Sequence, residues 1–156
     1  MNRMIVAALA ALVALPVIAI LPRTFAAAAT AAGSSAAAEK PAKPLHVSRG
    51  TPVKLADLCV PGKTMVFDFY SEYCGPCVQV APALEKLHRT RDDIVVVKVD
   101  INRPGIKGID WKSPVAQQYG LRSIPHFKVY GPNGKLLAED RPPQAAARQM
   151  VMGWIK

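Results

Sequence analysis

The sequence predicts a single α/β domain in which a mixed central β-sheet is flanked by helices, and three observations predict it. Two apolar runs, at residues 64–70 and 94–99, are rich in β-branched or aromatic residues, which suits buried strands. The apolar residues between these runs follow a helical spacing, and a strand–helix–strand order implies a parallel, right-handed crossover. Further along, the Gly-Pro-Asn-Gly sequence at residues 131–134 is typical of a hairpin turn, which adds antiparallel strands.

The first half of the domain alternates short and long elements. Residues 46–48 suit a short edge strand, and residues 53–60 suit a short helix or turn that a Pro-Gly pair ends. The strand at residues 64–70 follows, and a helix is predicted from residue 75 or 76 to residue 88. The strand at residues 94–99 then completes the parallel pair.

The second half begins with a short helix at residues 113–119. Ser113 suits its N-cap, and Pro114 suits its first position, where a missing N–H costs nothing. The remaining predicted elements are the two hairpin strands and a closing helix, at residues 127–130, 135–139 and 144–155.

A Cys-X-X-Cys pair, Cys74 and Cys77, stands where the strand at residues 64–70 ends and the next helix begins. Two cysteines at this spacing can close a disulfide within one helical turn. The free backbone N–H groups and the dipole of a helix start stabilise a thiolate on the first sulfur. Pro76 suits the first turn, where an amide N–H would lack a partner. Val78 stands where the haem-attachment pattern requires histidine, so that pattern fails.

The sequence Tyr-Cys-Gly-Pro-Cys at residues 73–77 resembles the active site of the thioredoxin family. Further landmarks of that family follow the expected order, namely a carboxylate, a lysine, an Ile-Pro pair and an Asn-Gly turn, at Asp68, Lys98, Ile124-Pro125 and residues 133–134. The resemblance covers residues 45–156 and implies the thioredoxin fold for that domain. It also implies that the Ile124-Pro125 bond is cis and faces the dithiol.

The resemblance assigns chemical roles around the two sulfurs. Cys74 is implied to be the nucleophile that forms a mixed disulfide with the substrate, and Cys77 the resolving thiol. Asp68, buried beneath the dithiol, would have a pKa raised by desolvation and would accept the Cys77 proton. Lys98 would moderate that rise. A structural acid at Asp68 and a surface lysine at Lys98 are the alternatives.

Substrate contacts are expected on both sides of the dithiol. The residues expected to make them are Tyr73, Gly75, Pro76, Ile124, Pro125 and His126. The resemblance implies that Pro125 offers the substrate a backbone edge beside Cys74. His126 departs from the family, which usually has threonine or another small residue there. It is either a structural histidine or a group that tunes Cys74.

The N-terminal third is unlike a folded core. A short positive start precedes an apolar run without charged side chains at residues 4–21, and an alanine-rich stretch follows, which is typical of an export signal. We expect residues 1–32 to be a cleaved signal peptide or, alternatively, a membrane anchor retained through residues 4–21. Residues 33–44 are small, polar and interrupted by prolines, which suits a flexible linker. Whether residues 1–32 are a cleaved signal peptide or an anchor, we expect the domain to lie outside the cytoplasmic membrane, in a bacterial periplasm.

The chain has a formal net charge of +9, carried by lysines and arginines that are scattered singly. Without basic runs or interleaved aromatics, this charge does not support nucleic-acid binding. No organic cofactor or metal is implied, since a zinc site would have to recruit Cys59 and a histidine to join the dithiol. Cys59 is the odd cysteine. It is interpreted either as an inert buried thiol or as a thiol that forms a regulatory or intermolecular disulfide.

These observations together predict an exported thiol–disulfide oxidoreductase that acts, as a monomer, on disulfide-containing proteins through Cys74 and Cys77. The Gly-Pro spacer between the cysteines resembles that of the reducing members of the family. We therefore expect a protein-disulfide reductase that a membrane-embedded electron donor keeps reduced. The alternatives are a disulfide oxidase or isomerase, and a non-catalytic thioredoxin-like chaperone or assembly module.

Overall fold

A computed structural model of the chain describes residues 39–155. The signal peptide or anchor predicted at residues 1–32, and the first part of the predicted linker at residues 33–38, lie outside the described residues. Within residues 39–155, no helix combines the length and the apolarity needed to cross a membrane.

The described residues form a six-stranded mixed sheet with helices on both faces. In chain order, the elements are β1 (Leu45–Val47), a 3-10 helix (Leu55–Leu58), β2 (Thr64–Tyr70), α1 (Gly75–Thr90), β3 (Ile94–Asp100), α2 (Pro114–Gln118), β4 (His126–Tyr130), β5 (Leu136–Arg141), β6 (Gln144–Ala145) and α3 (Ala146–Trp154). The strand order in the sheet is β1-β3-β2-β4-β5-β6. Strands β1, β3 and β2 are parallel to one another, and the pairs β2–β4, β4–β5 and β5–β6 are antiparallel. The predicted fold class and parallel crossover are confirmed.

Strands β2 and β3 lie in the centre of the sheet and are covered on both faces, which explains why they are apolar apart from Asp68 and Lys98 and the residues at their ends. Their register pairs Asp68 with Lys98, and β4 places Phe127 opposite Asp68. Side chains two positions apart on a strand share a face. Asp68 therefore lies on the same face as Val66, which belongs to the hydrophobic cluster of Leu84 in α1.

One hydrophobic cluster packs against each face of the sheet. On one face, α1 and α3 contribute Leu84, Leu87 and Val151 to the core. On the opposite face, the 3-10 helix contributes Leu55 and α2 contributes Val115. Because α1 begins shortly after β2 ends, its N-terminus lies at the carboxyl end of a central strand.

The predicted elements are confirmed with small shifts of their boundaries. Ser113 caps α2 as predicted, since its Oγ accepts the Ala116 N–H at 3.3 Å, and Pro114 is the first helical residue. The helix predicted over residues 144–155 begins only at Ala146, because the two residues before it form β6 and pair with β5.

The C-terminal part of the predicted linker is bound to the domain. The Lys40 ammonium donates to the carbonyl oxygens of His88 and Arg91 at the end of α1. The fully buried His88 ring contacts the Pro41 carbonyl oxygen through Nε2 at 2.7 Å, and its Nδ1 accepts the Val96 N–H at 3.0 Å. Lys40 and Pro41, which lie within the linker predicted to be flexible, are therefore held against α1.

Candidate active site

Cys74 and Cys77 are joined by a disulfide bond at the N-terminus of α1. Cys74 is the N-cap residue of the helix, and its Sγ accepts the Cys77 N–H at an N–S distance of 3.2 Å. At most N-caps a side-chain oxygen accepts an N–H of the first turn. Here the Cys74 sulfur is the acceptor, and it pairs an amide N–H that would otherwise lack a partner. Pro76 occupies the first turn, as predicted. In the reduced protein, this amide and the helix dipole would favour a thiolate on Cys74.

Little of either cysteine reaches the solvent in the disulfide form. Cys74 is 3% exposed and Cys77 is 1% exposed, so exposure gives no reason to expect one rather than the other as the nucleophile. The N-cap position of Cys74 supports the expectation that Cys74 is the nucleophile, because a helix start favours a thiolate. Tyr73 is 45% exposed, and Gly75 and Pro76 are also exposed. These three residues form accessible surface next to the disulfide, where the sequence analysis expects substrate.

The segment before β4 lies beside the disulfide. The Ile124 carbonyl oxygen is 3.7 Å from Cys74 Sγ, although the two residues are 50 positions apart in the chain. The Ile124-Pro125 peptide bond is cis, which confirms the prediction made for it. The fold thus brings the Ile-Pro landmark and the dithiol together.

His126, the first residue of β4, is buried on the face of the sheet opposite α1. Its ring packs edge-on against Phe69, with the ring centroids 5.7 Å apart, and its Nε2 is 3.9 Å from a Glu139 carboxylate oxygen. Burial lowers the pKa of His126, an effect that the nearby carboxylates oppose. These contacts favour the interpretation of His126 as a structural histidine over that of a group tuning Cys74.

Asp68 is fully buried on the face of the sheet that α1 covers. Its Oδ2 is 3.8 Å from Lys98 Nζ, which also lies 4.5 Å from the centroid of the Tyr70 ring. Burial raises the pKa of Asp68 to about 7, and the Lys98 charge opposes that rise. Both effects agree with the sequence-based expectations. Because Lys98 is itself buried, the alternative of a surface lysine is wrong.

Two further side chains, which no sequence pattern indicated, contact the segment around Pro125. Asp140 accepts the Phe127 N–H at 3.1 Å, and the Arg148 guanidinium donates to the Pro125 carbonyl oxygen. The partners are 13 and 23 positions apart in the chain. No local sequence pattern links residues at such separations, so the sequence held no usable signal for them.

The third cysteine is free and half-buried. Burial raises the pKa of the Cys59 thiol, which leaves little thiolate at neutral pH. This environment favours the interpretation of Cys59 as an inert thiol. Within the part of the chain that the structure describes, no group of three or more His, Cys, Asp or Glu side chains could hold a metal ion.

Comparison with known proteins decides the family. The family model named Thioredoxin matches residues 56–151, more than half of the chain. The chain belongs to the thioredoxin family. It is 37% identical to a thioredoxin of Streptomyces clavuligerus over 75 residues, which are 48% of this chain and 63% of that protein. It is 35% identical to the chloroplastic thioredoxin F1 of Arabidopsis thaliana over 71 residues, 46% of this chain and 36% of that protein. The chain thus matches less than two thirds of the length of either relative.

The likeness of fold extends over more of the chain than the likeness of sequence. A mutant thioredoxin from Halobacterium salinarum superposes with a TM-score of 0.50, over 75% of this chain and 95% of that one, at 24% identity. At this identity the likeness concerns the fold alone. Together with the family match, it confirms the predicted thioredoxin fold.

Proposed function

We propose that this chain is an extracytoplasmic thiol–disulfide oxidoreductase that reduces disulfides in protein substrates through Cys74 and Cys77. The observation that carries the proposal is the position of the dithiol. Cys74 caps α1, and the Cys77 N–H lies within hydrogen-bond distance of its sulfur. The species that attacks a disulfide is a thiolate rather than a thiol, and this amide is placed to stabilise one. Membership of the thioredoxin family supports the same chemistry.

The first step joins the substrate to Cys74. The Cys74 thiolate attacks one sulfur of the substrate disulfide, a bond forms between these two sulfurs, and the other substrate sulfur leaves as a thiolate. Tyr73, Gly75 and Pro76 offer the exposed surface on which the substrate rests. The backbone of Ile124-Pro125, beside Cys74, is the edge along which the substrate chain lies.

The second step releases the product. The Cys77 thiol gives its proton to Asp68, and the resulting thiolate attacks Cys74 Sγ. The Cys74–Cys77 disulfide closes, and the second substrate sulfur leaves as a thiolate. The substrate gains two electrons, the dithiol loses two, and the proton on Asp68 passes to the product or to water. A carboxylate with a pKa of about 7 suits this transfer, because an acceptor works best near the operating pH.

A reductase must be reduced again after each turnover. We propose that residues 1–32 direct the chain out of the cytoplasm into a bacterial periplasm, as a cleaved signal peptide or as an anchor through residues 4–21. There, a membrane-embedded donor would return two electrons to the Cys74–Cys77 disulfide of a monomeric chain. The Gly-Pro spacer supports this direction, because it resembles that of the reducing members of the family.

Insulin reduction tests the proposal. With dithiothreitol as the electron source, the wild-type chain should accelerate precipitation of the insulin B chain, and the Cys74→Ser variant should not. Cys77→Ser, reduced beforehand and then freed of dithiothreitol, should accumulate a mixed disulfide with insulin on a non-reducing gel, because the resolving thiol is missing. A wild-type chain no faster than Cys74→Ser would rule out the reductase and favour a binding module.

A further inference from the structure

The segment beside Cys74, residues 123–125, is not paired with any strand. Residues 119–125 connect α2 to β4, the last three of them as a series of bends, and the Ile124 carbonyl oxygen lies 3.7 Å from Cys74 Sγ. Strand pairing with β2 begins only at His126, which lies opposite Phe69. Side chains that fix Pro125 and the first residues of β4 therefore also set the distance between this segment and Cys74.

Asp140, near the end of β5, fixes the residue that follows His126. The residue pairing of β4 with β5 extends only to Lys128 and Glu139, so the Phe127 N–H lies beyond it. This buried amide donates instead to Asp140 Oδ2 at 3.1 Å. The other oxygen, Oδ1, accepts the Arg148 N–H in the first turn of α3 at 2.8 Å. One buried carboxylate thus joins the starts of β4 and α3.

The second contact of Asp140 also explains how α3 begins. The N-cap residue of α3 is Ala145, whose side chain has no hydrogen-bond acceptor. Asp140 supplies the missing acceptor from a neighbouring strand, close to the end of the helix where negative charge is favourable. The carboxylate therefore fixes the orientation of the first turn of α3, from which the Arg148 side chain projects.

The Arg148 side chain completes the connection. Its guanidinium donates to the Pro125 carbonyl oxygen, and its Nε lies 3.8 Å from Asp140 Oδ2. The side chain is 40% exposed, so it runs along the surface rather than filling the core. Its described contacts are with the Pro125 backbone and with the carboxylate that fixes Phe127.

We propose that Asp140 and Arg148 are positioning residues for disulfide exchange, which hold the Ile124-Pro125 segment in place beside Cys74. This inference rests on the proposed function. A protein substrate that lies along the segment needs its disulfide aligned with Cys74, and a small misplacement is costly for a reaction that depends on near-linear attack. A small aromatic disulfide that meets only the sulfur does not need the segment. The two residues therefore govern the reduction of protein disulfides and not the intrinsic reactivity of the dithiol.

Three arginine variants test the proposal in the full chain. Arg148→Met keeps the alkyl stem and the helix propensity but removes the donor to Pro125. Arg148→Lys keeps a cationic donor of similar length. Arg91→Met is the matched control, because Arg91 is also partly exposed, at 45%, and its ion pair with Asp93 follows the far end of α1. Each variant is assayed with insulin and with 5,5′-dithiobis(2-nitrobenzoate), and its Cys74–Cys77 reduction potential is measured.

Arg148→Met should lower kcat/KM for insulin on the order of tenfold, and leave the rate with the small disulfide and the reduction potential unchanged. Arg148→Lys should recover most of the insulin activity, and Arg91→Met should match the wild type. If Arg148→Met had the same kcat/KM for insulin as Arg91→Met, or lost activity equally with both substrates, this inference would be wrong while the proposed function would stand. A wild-type chain unable to reduce insulin would overturn the proposed function and this inference with it.

A second variant keeps the inference testable if Arg148→Met does not fold. Asp140→Asn retains one acceptor oxygen and removes the charge, so either Phe127 or Arg148 loses its partner. This variant should show the same division between insulin and the small disulfide. A loss of activity equal for the two substrates would mean that the cluster only stabilises the fold, which would contradict the positioning role.

Discussion

The Asp68 carboxylate and the Lys98 ammonium face each other in the protein interior, with Oδ2 and Nζ 3.8 Å apart. Their strands place the two residues in register, so the pairing is fixed by the parallel ladder itself. In the part of the chain that the structure describes, neither Asp68 oxygen has a hydrogen-bond partner. Burial therefore dominates, and the pKa of Asp68 rises to about 7 despite the nearby cation.

Asp68 should make the stability of the protein depend on pH. Its folded-state pKa lies above its ordinary value of 3.8, so the native state holds a proton that the unfolded state releases. Stability from this group is therefore present at acid pH and is lost as the pH rises towards and through 7. Relative to Asp68→Asn, the wild type should lose up to about 4 kcal/mol of unfolding free energy between pH 4 and pH 8.

The unfolding free energies of the wild type and Asp68→Asn are measured by urea denaturation across this pH range. The comparison with Asp68→Asn removes the contributions of histidines that titrate in the same window. The variant also leaves the Lys98 charge unpaired, but that cost does not change with pH while the lysine stays protonated. Parallel stability curves for the two proteins would mean that the Asp68 carboxyl group titrates like an exposed one, and would remove its role as proton acceptor.

Removing the Lys98 charge should raise the pKa of Asp68 above about 7, because this cation favours the ionised carboxylate. The variant is Lys98→Met, and the measurement is a carbon-13 titration of the Asp68 carboxyl group by nuclear magnetic resonance. Lys128→Met is the control, since it removes a buried lysine that lies beside Tyr119 on the opposite face of the sheet. The same Asp68 titration in Lys98→Met and wild type would contradict the electrostatic coupling of the pair.

Acid should weaken the contact between α1 and β3 at His88, where the ring accepts the Val96 N–H. The His88 ring is neutral in this arrangement, because Nδ1 uses its lone pair to accept the Val96 N–H while Nε2–H donates to Pro41. Burial lowers the pKa of His88, so the unfolded state takes up a proton first as the pH falls below about 6.5. The stability that His88 contributes is therefore lost below that pH.

His88→Asn is the variant that tests this dependence, because an amide oxygen can replace Nδ1 as acceptor without titrating. Urea denaturation at pH 7.5 and pH 5 should show that the wild type loses about 1 kcal/mol or more relative to the variant on acidification. An equal response of the two proteins to acid would show that the His88 ring does not need to be neutral.

Cys59 should take no part in the redox cycle. Its half-buried thiol has a raised pKa and so contains little of the reactive thiolate. Wild type and Cys59→Ser should both run as monomers on non-reducing gels and reduce insulin at the same rate. A disulfide-linked dimer that appears in the wild type and disappears in Cys59→Ser would contradict this and support the intermolecular disulfide.

The sequence was sufficient to predict the elements that depend on local patterns. Strand β2 is predicted with its observed bounds, because a strand buried on both faces is mostly apolar, and Asp68 is its one charged residue. The Ser113 cap and the dithiol at the start of α1 are also encoded within a few residues. The resemblance to the thioredoxin family added the cis Ile124-Pro125 bond and the pairing of Asp68 with Lys98, which no local pattern contains.

The features that could not be predicted join distant parts of the chain. The contact of His88 with Pro41 spans 47 positions, and that of Arg148 with Pro125 spans 23. Each depends on a side chain meeting a backbone group left unpaired by the sheet or by an irregular segment. Which backbone groups stay unpaired is decided only when the strands assemble, so a pattern of residue types along the chain does not reveal them.

The reduction potential of the Cys74–Cys77 pair tests the proposed reductase most directly. It is measured by equilibrating the Cys59→Ser protein with glutathione buffers, so that only the dithiol responds. A potential of about −270 mV, that of thioredoxin, is the result we predict for a reductase that requires an electron donor. A potential of about −120 mV, that of a strong periplasmic oxidant, would contradict it and make this chain a donor of disulfides.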